Sequence, residues 1–346
     1  MTSTSCNNNL IDPKDISVVV QGAVDVVLTP KCLKSIRKFL PGAEIILSTW
    51  EGSNTEGLDY DKLVLNKDPG YYICDEDFNI KNNVNRQIVS TKNGLKTASR
   101  KYAFKTRTDI AITSTNFLTY WNKFTKRSSE CKVLNERVLI NNLYCANPVK
   151  TKLLFHISDW VFFGLKEDVL RIWDIPEMSL ADATYFKNHA RYMREDPLPN
   201  CIFRWIPEQY IWSKFLCKSG RQFVFNHFAD FNKSNLKETE LSFANNVVII
   251  DYESFGISFI KYDPYKWDYK KQMTHNGWLN LYKKYCDPSF KFPNYISYIY
   301  GDFAKFEKCY KKIFRPIEKK LKQMFDLIVS MFTIFIKSLF YVFTKF

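Results

Sequence analysis

Four short apolar runs near the start of the chain each stop at a polar, turn-marked cluster, and that recurrence narrows the fold to an open α/β sheet. The run at 16–22, ISVVVQG, ends in Gln21 and Gly22. AEIILSTWEG at 43–52 ends in Ser48, Thr49, Trp50, Glu51 and Gly52. KLVLNKDPG at 62–70 ends in Lys67, Asp68, Pro69 and Gly70, and KYAFKTRTDI at 101–110 leads from a strand at Tyr102 to Lys105 into Thr106, Arg107, Thr108 and Asp109. Continuous apolar runs of this length, bounded by turn residues, fit strands covered on both faces. In an open α/β sheet, ligands bind in the crevice beyond the carboxyl ends of the strands, which is where this chain collects its polar residues.

The segments between the runs fit helices. After the first run comes TPKCLKSIRKFLPG, in which Thr29 can cap a helix and Pro30 suits its first position. Leu33, Ile36 and Leu40 form its apolar stripe, and Pro41 with Gly42 ends it. A second helix is expected from about Asn83 to Ser99, with Val84, Ile88, Leu95 and Ala98 on the face toward the sheet. Strand, helix, strand with short links implies parallel pairing through a right-handed crossover.

Read in order, ISVVVQG, CLKSIRKFLPGAEIILSTWEG, NRQIVSTKNGLKTA, KYAFKTRTDI, HISDWVFFG and PEQYIWSKF resemble the WavE lipopolysaccharide-synthesis family, a branch of the GT-A-type glycosyltransferases. The resemblance spans about residues 15–262. It implies a GT-A-like (Rossmann-like) α/β fold with a mostly parallel sheet flanked by helices. It also implies a nucleotide-sugar donor, a glycan or lipid-linked acceptor, and a place in surface glycan assembly, of lipopolysaccharide or capsule.

Composition bounds these readings. The 346 residues are 46% hydrophobic and 16% aromatic, and a mean hydropathy of −0.28 argues against a polytopic membrane protein. The nine cysteines include no CxxC pair, and the four histidines, His156, His189, His227 and His275, stand apart from one another, so a zinc site lacks support. Residues 1–14 are polar and expected to be disordered. No apolar leader follows Met1, which implies a reducing cytoplasm where the thiols stay free. GxGxxG, GxxxxGK[ST] and a nucleophile elbow are missing, which sets aside dinucleotide, P-loop and serine-hydrolase readings.

The net charge of +14 is uneven: residues 301–346 carry ten Lys or Arg against four Asp or Glu. In this tail, residues 308–322 are basic with Ile313, Ile317 and Leu321 at helical spacing. Residues 327–346 are Phe-rich, with Lys337 interrupting the apolar run. A spanning helix needs about 20 apolar residues, so amphipathic helices lying on an anionic membrane are expected here, with lysines at the phosphates and Phe rings in the acyl boundary. A helix packed on the globular domain is the plainer alternative.

Several residues could carry chemistry. Gln21 and Gly22 end the first strand, and Gly22 permits a ligand to approach the backbone closely; a simple turn explains them equally well. Asn85 and Arg86 fall in the first turn of the second helix, where unpaired N–H groups and the dipole favour a phosphate. Arg86 conflicts with that dipole, so either an anionic ligand or a paired carboxylate must compensate. Arg107 and Asp109 stand where the resemblance implies Asp-x-Asp holding a divalent cation. With Arg-x-Asp, either Asp109 still holds Mg²⁺ or Mn²⁺, or Arg107 neutralises the diphosphate directly. An ion pair between the two is disfavoured by their spacing along a turn. Asp159, flanked by Trp160, Val161, Phe162 and Phe163, is costly to bury without a partner or a function. Glu208 opens a helix after Pro207, a favourable and ordinary place for a carboxylate. Asp159 and Glu208 are the candidates to deprotonate an acceptor hydroxyl, with Glu208 preferred. Trp160 is placed to stack on a sugar, and Arg191 and Arg194 to hold acceptor phosphate, a solvated helix face being the plainer reading of the two arginines.

The sequence therefore leads to a single domain at 15–300, with a donor half to about residue 120 and an acceptor half at 121–300, followed by the 301–346 tail. The expected activity is glycosyl transfer by a peripheral protein on the inner face of the cell membrane. The rivals are a non-catalytic membrane-surface protein that keeps the fold and, from charge and aromatics alone, a nucleic-acid binder, which is not favoured.

Overall fold

The computed structural model describes residues 11–75, 80–191, 198, 200–259, 261 and 271–292. The tail at 301–346 and Arg194 lie outside the described residues. The described residues up to Pro288 belong to one compact unit, and a second begins at Ser289.

The first unit opens with β1 (Ile16–Gln21), α1 (Leu28–Phe39), β2 (Glu44–Trp50) and β3 (Lys62–Asn66), then a small hairpin of β4 (Tyr72–Asp75) and β5 (Ile80–Asn82). α2 (Val84–Thr97), β6 (Tyr102–Arg107), β7 (Ile110–Ile112) and β8 (Val138–Asn141) follow. Next come α3 (Pro148–Thr151), β9 (Phe162–Leu165), α4 (Lys166–Trp173), α5 (Leu180–Ala183), α6 (Tyr185–Asn188) and α7 (Pro207–Lys218). α8 (Lys233–Asn246), β10 (Val247–Ile250), α9 (Tyr252–Phe255), β11 (Ile257–Phe259) and α10 (His275–Tyr285) complete it.

Seven strands form the main sheet in the order β10-β8-β9-β6-β1-β2-β3. The expected mostly parallel sheet is present: β1 pairs in parallel with β2 and β6, β2 with β3, and β8 with β10. Only β9 runs antiparallel to its neighbours β6 and β8. All six residues of β1 are buried, as a central strand covered on both faces requires. From β1 the chain first moves outward through β2 and β3, then returns across β1 to β6. The strand order thus reverses at the β1–β6 boundary, the topological switch point where open α/β sheets take ligands.

α1 buries Cys32, Leu33 and Ile36 as its stripe predicts. Its cap differs from the sequence expectation. Asp25 Oδ1 accepts the N–H groups of Val27 and Leu28, both at 2.8 Å, and Thr29 lies inside the first turn, its Oγ1 accepting from Asp25 N at 2.9 Å. Two orphan helix donors are met by a carboxylate a few residues earlier, so Thr29 closes the turn from within. β2 and β3 are joined by a loop instead of a helix. The Arg37 guanidinium binds both Asp59 and Asp61 at 2.9 Å, and Asp61 accepts Ile45 N–H at 2.7 Å, which pins that loop to the sheet.

α2 lies directly on β1 and β2. A Cβ added to Gly94 would fall 2.4 Å from Val19 Cγ1 and 3.1 Å from Ser48 Cβ. Alanine normally gains about 1 kcal/mol over glycine in a helix. Here overpacking reverses the sign, so Gly94→Ala is expected to destabilise the protein by about 1–3 kcal/mol. Equilibrium urea unfolding of the two proteins checks this, and a variant as stable as the parent would show that α2 can shift. On the sheet's other face, Phe117 stacks on Phe104 at 5.2 Å and on Phe255 at 5.1 Å, which accounts for part of the high aromatic content.

Candidate active site

The carboxyl ends of β1 and β6 and the first turn of α2 enclose a cleft of about 520 Å³. Gln21, Gly22, Arg86, Arg107 and Asp109 all line it, joined by Asp25, Trp50, Asp68 and Lys261. Gln21 and Asp109, 88 positions apart in the chain, thus meet at the switch point, because parallel strands bring their carboxyl ends to one edge.

Gly22 has φ +119°, a region that side chains avoid, and its N–H donates to Ser48 O at 3.1 Å. The turn itself therefore calls for glycine at this position. Gln21 is buried, and its Oε1 accepts from Ser90 Oγ of α2 at 2.8 Å. Thr108 N–H donates to Gln21 O at 3.2 Å, and Thr108 Oγ1 donates to Ala23 O at 2.7 Å. The turns after β1 and β6 are in this way tied together.

That tie explains the first correction. The spacing of Arg107 and Asp109 argued against an ion pair, yet Arg107 Nε donates to Asp109 Oδ1 at 2.9 Å and Nη2 to Oδ2 at 2.7 Å. Thr108, anchored from β1, folds the chain tightly enough to bring Asp109 alongside the guanidinium. Arg107 also lies 4.7 Å over the Trp160 ring.

Arg86 shows a parallel arrangement. Nε donates to Asp68 Oδ1 at 2.7 Å, Nη2 to Oδ2 at 2.5 Å, and Nη1 to Asn83 Oδ1 at 2.9 Å. These bonds hold the Asp68 carboxyl below the usual carboxylate range. The conflict with the helix dipole is answered by this carboxylate, while the guanidinium still faces the cleft. Asn85 does not join it. Its Oδ1 accepts Met178 N–H at 2.7 Å and its Nδ2 donates to Met178 O at 3.0 Å, a latch on the segment before α5. Successive helical residues point about 100° apart, and here Arg86 turns to the cleft while Asn85 turns to Met178.

A second polar group lies beside β6, where Lys105 donates to Asp159 O. Asp159 is 4% exposed, and its Oδ1 has no hydrogen-bond partner. Glu208, in the first turn of α7, approaches His156 Nε2 at 4.0 Å. It differs from an ordinary first-turn carboxylate: burial, and then the Asp159 charge, push the Glu208 carboxyl well above the usual range. Burial also pulls His156 down to about 4, so the imidazole is neutral near neutral pH and the contact is not an ion pair there. His156 Nδ1, like Asp159 Oδ1, is buried without a partner.

Trp160 sits between the two groups. It is 5% exposed, with Tyr144 stacked on it at 5.5 Å and Phe259 edge-on at 4.5 Å, so it forms a wall and is not a sugar platform. Arg191 is also reassigned. It donates to Cys201 O and, at 2.8 Å, to Leu198 O, and lies 4.5 Å over the Phe186 ring, which ties down its own loop.

Lys105, His156 and Tyr144 were not singled out in the sequence. Lys105 is fully buried in β6, donating to the carbonyls of Asp159 and Trp160. Burial lowers it to about 7, against opposing attraction from Asp159 and Asp109, so it senses both groups. A lysine in the middle of a strand, directly after the apolar Ala103 and Phe104, was the signal available. Tyr144 has φ +57° and is 39% exposed, and presents the aromatic face that was expected of Trp160.

The profile of the WavE lipopolysaccharide synthesis family matches residues 16–311, most of the chain. No curated protein matches it. Among the described residues, no helix is long and apolar enough to cross a membrane.

Proposed function

Because the chain belongs to the WavE lipopolysaccharide synthesis family, we propose that it transfers a sugar from a nucleotide-sugar donor to a lipid-linked, lipopolysaccharide or capsule glycan. The observation that carries this reading is one cleft at the switch point, lined by two guanidinium groups. The donor's nucleotide lies along Gln21 and Gly22, and its diphosphate faces Arg86 and Arg107. The acceptor hydroxyl oxygen bonds to the anomeric carbon as the bond to the diphosphate oxygen breaks. Glu208 takes the hydroxyl proton, and the arginines neutralise the charge left on the nucleoside diphosphate. A carboxyl whose pKa is raised toward neutrality is a stronger base than an ordinary glutamate. Asp159 holds the neighbouring negative charge that keeps it there.

In this reading, residues 15–120 form the donor side and 121–300 the acceptor side. The tail rests on the anionic inner face of the cell membrane, where a lipid-linked acceptor is found. Deleting residues 323–346 is then expected to move the protein from phosphatidylglycerol vesicles into the supernatant with nucleotide-sugar binding retained. Aggregation of the truncated protein would show instead that the tail completes a core.

The direct test is transfer of a radiolabelled sugar from nucleotide donors into lipid-extractable material, beside titration calorimetry of the donor. Arg86→Ala is expected to weaken donor binding at least about tenfold, as loss of a charge-assisted phosphate contact does. Its effect on unfolding should be small, because the Arg86–Asp68 pair is partly exposed. Equal donor affinity in variant and parent would remove Arg86 from the site.

A further inference from the structure

The geometry points to a donor site that grips the nucleotide diphosphate with guanidinium groups and no metal ion, Arg107 replacing the divalent cation that GT-A-like sites employ. This inference rests on the glycosyl-transfer reading. A magnesium or manganese ion at the end of β6 needs carboxylate oxygens available to it in a near-octahedral arrangement. Asp109 does not provide them. Oδ1 and Oδ2 are both taken by Arg107, at 2.9 and 2.7 Å, in a pair whose side chains are 12% and 22% exposed. A cation bound there would have to displace the guanidinium and then sit beside it, charge against charge.

The other carboxylates of the cleft are engaged as well. Asp25 accepts the N–H groups that begin α1, and Asp68 is held by the fork of Arg86. Among the described residues, no three His, Cys, Asp or Glu side chains gather as a metal site would require.

Arg107 supplies what the cation would. It puts a fixed positive charge at the end of β6, on a planar guanidinium fork that Asp109 holds in place. The Trp160 ring beneath the guanidinium and the bidentate grip of Asp109 set its plane. Asp109 is therefore a positioning residue for Arg107. Arg86 and Asp68 repeat the device from the first turn of α2, so the same cleft presents two oriented guanidinium groups to a ligand with two phosphates.

Titration calorimetry of the full chain against UDP, GDP, dTDP and CMP and one sugar conjugate of each, in EDTA and in Mn²⁺, tests this. The tightest ligand is expected to bind equally in both buffers. Arg107→Asp, which restores paired carboxylates, is expected to lose at least about tenfold in EDTA and to recover in Mn²⁺. Circular dichroism checks that this variant is folded; if it is not, Arg107→Gln replaces it and is expected to bind weakly with or without Mn²⁺. Binding by the parent only in Mn²⁺ overturns the inference and leaves the glycosyl-transfer reading standing. No binding in either buffer overturns both. A folded variant that binds like the parent in EDTA overturns the role of Arg107.

Discussion

Glu208→Gln is expected to lower sugar transfer by about a thousandfold, within the range of about 10²–10⁴ that a positioned general base contributes. Donor affinity should be unchanged, since Glu208 does not line the nucleotide cleft. The same substitution should raise stability at alkaline pH. The Glu208 carboxyl titrates higher in the folded state than in the unfolded chain, because it is buried and lies near the Asp159 charge. Its contribution to stability is therefore complete below the unfolded pKa of about 4.3 and is lost as pH rises toward the folded value. Glutamine mimics the protonated form and escapes that loss. The parent's kcat/KM should rise with pH as Glu208 ionises, and the variant's profile should lack that limb. Rate profiles and urea unfolding at pH 6 and pH 9 check both halves. Wild-type turnover in the variant would exclude Glu208 as the base, whatever its stability.

Asp109→Ala should reduce transfer about a hundredfold, the loss that a displacement of roughly 1 Å in a reacting geometry brings. The substitution removes the bidentate partner that orients the Arg107 fork. Losing such a charge-assisted pair costs about 1–3 kcal/mol, and melting should fall by a few degrees without loss of the fold. Asp109 stands at a strand end and packs no core, so the circular dichroism spectrum should be retained. Unchanged donor affinity together with unchanged turnover would remove Asp109 from the site.

The local signals of this chain were read correctly where the deciding physics is local. The apolar run at Ile16–Gln21 became a strand buried on both faces, and α1 and α2 lie where their stripes placed them. The convergence of Gln21, Gly22, Arg86, Arg107 and Asp109 in one cleft was legible for a similar reason. Once strands are parallel, their carboxyl ends share an edge, whatever the loops between them do.

Orientation and burial of single side chains were decided by distant residues. Whether Asn85 or Arg86 faced the cleft depended on Met178, which holds one of them from 93 positions away. The Arg107–Asp109 pair needed the turn at Thr108, which Ala23 and Gln21 anchor from another strand. Glu208 looked like a common first-turn carboxylate until the fold set it beside His156 and Asp159. Trp160 and Lys105 lost their solvent in the same way. Helical and strand periodicity is written along the chain within a few residues. The dielectric around a carboxyl, and the partner of a guanidinium, belong to whichever segments pack there, and those segments meet only when the sheet is assembled.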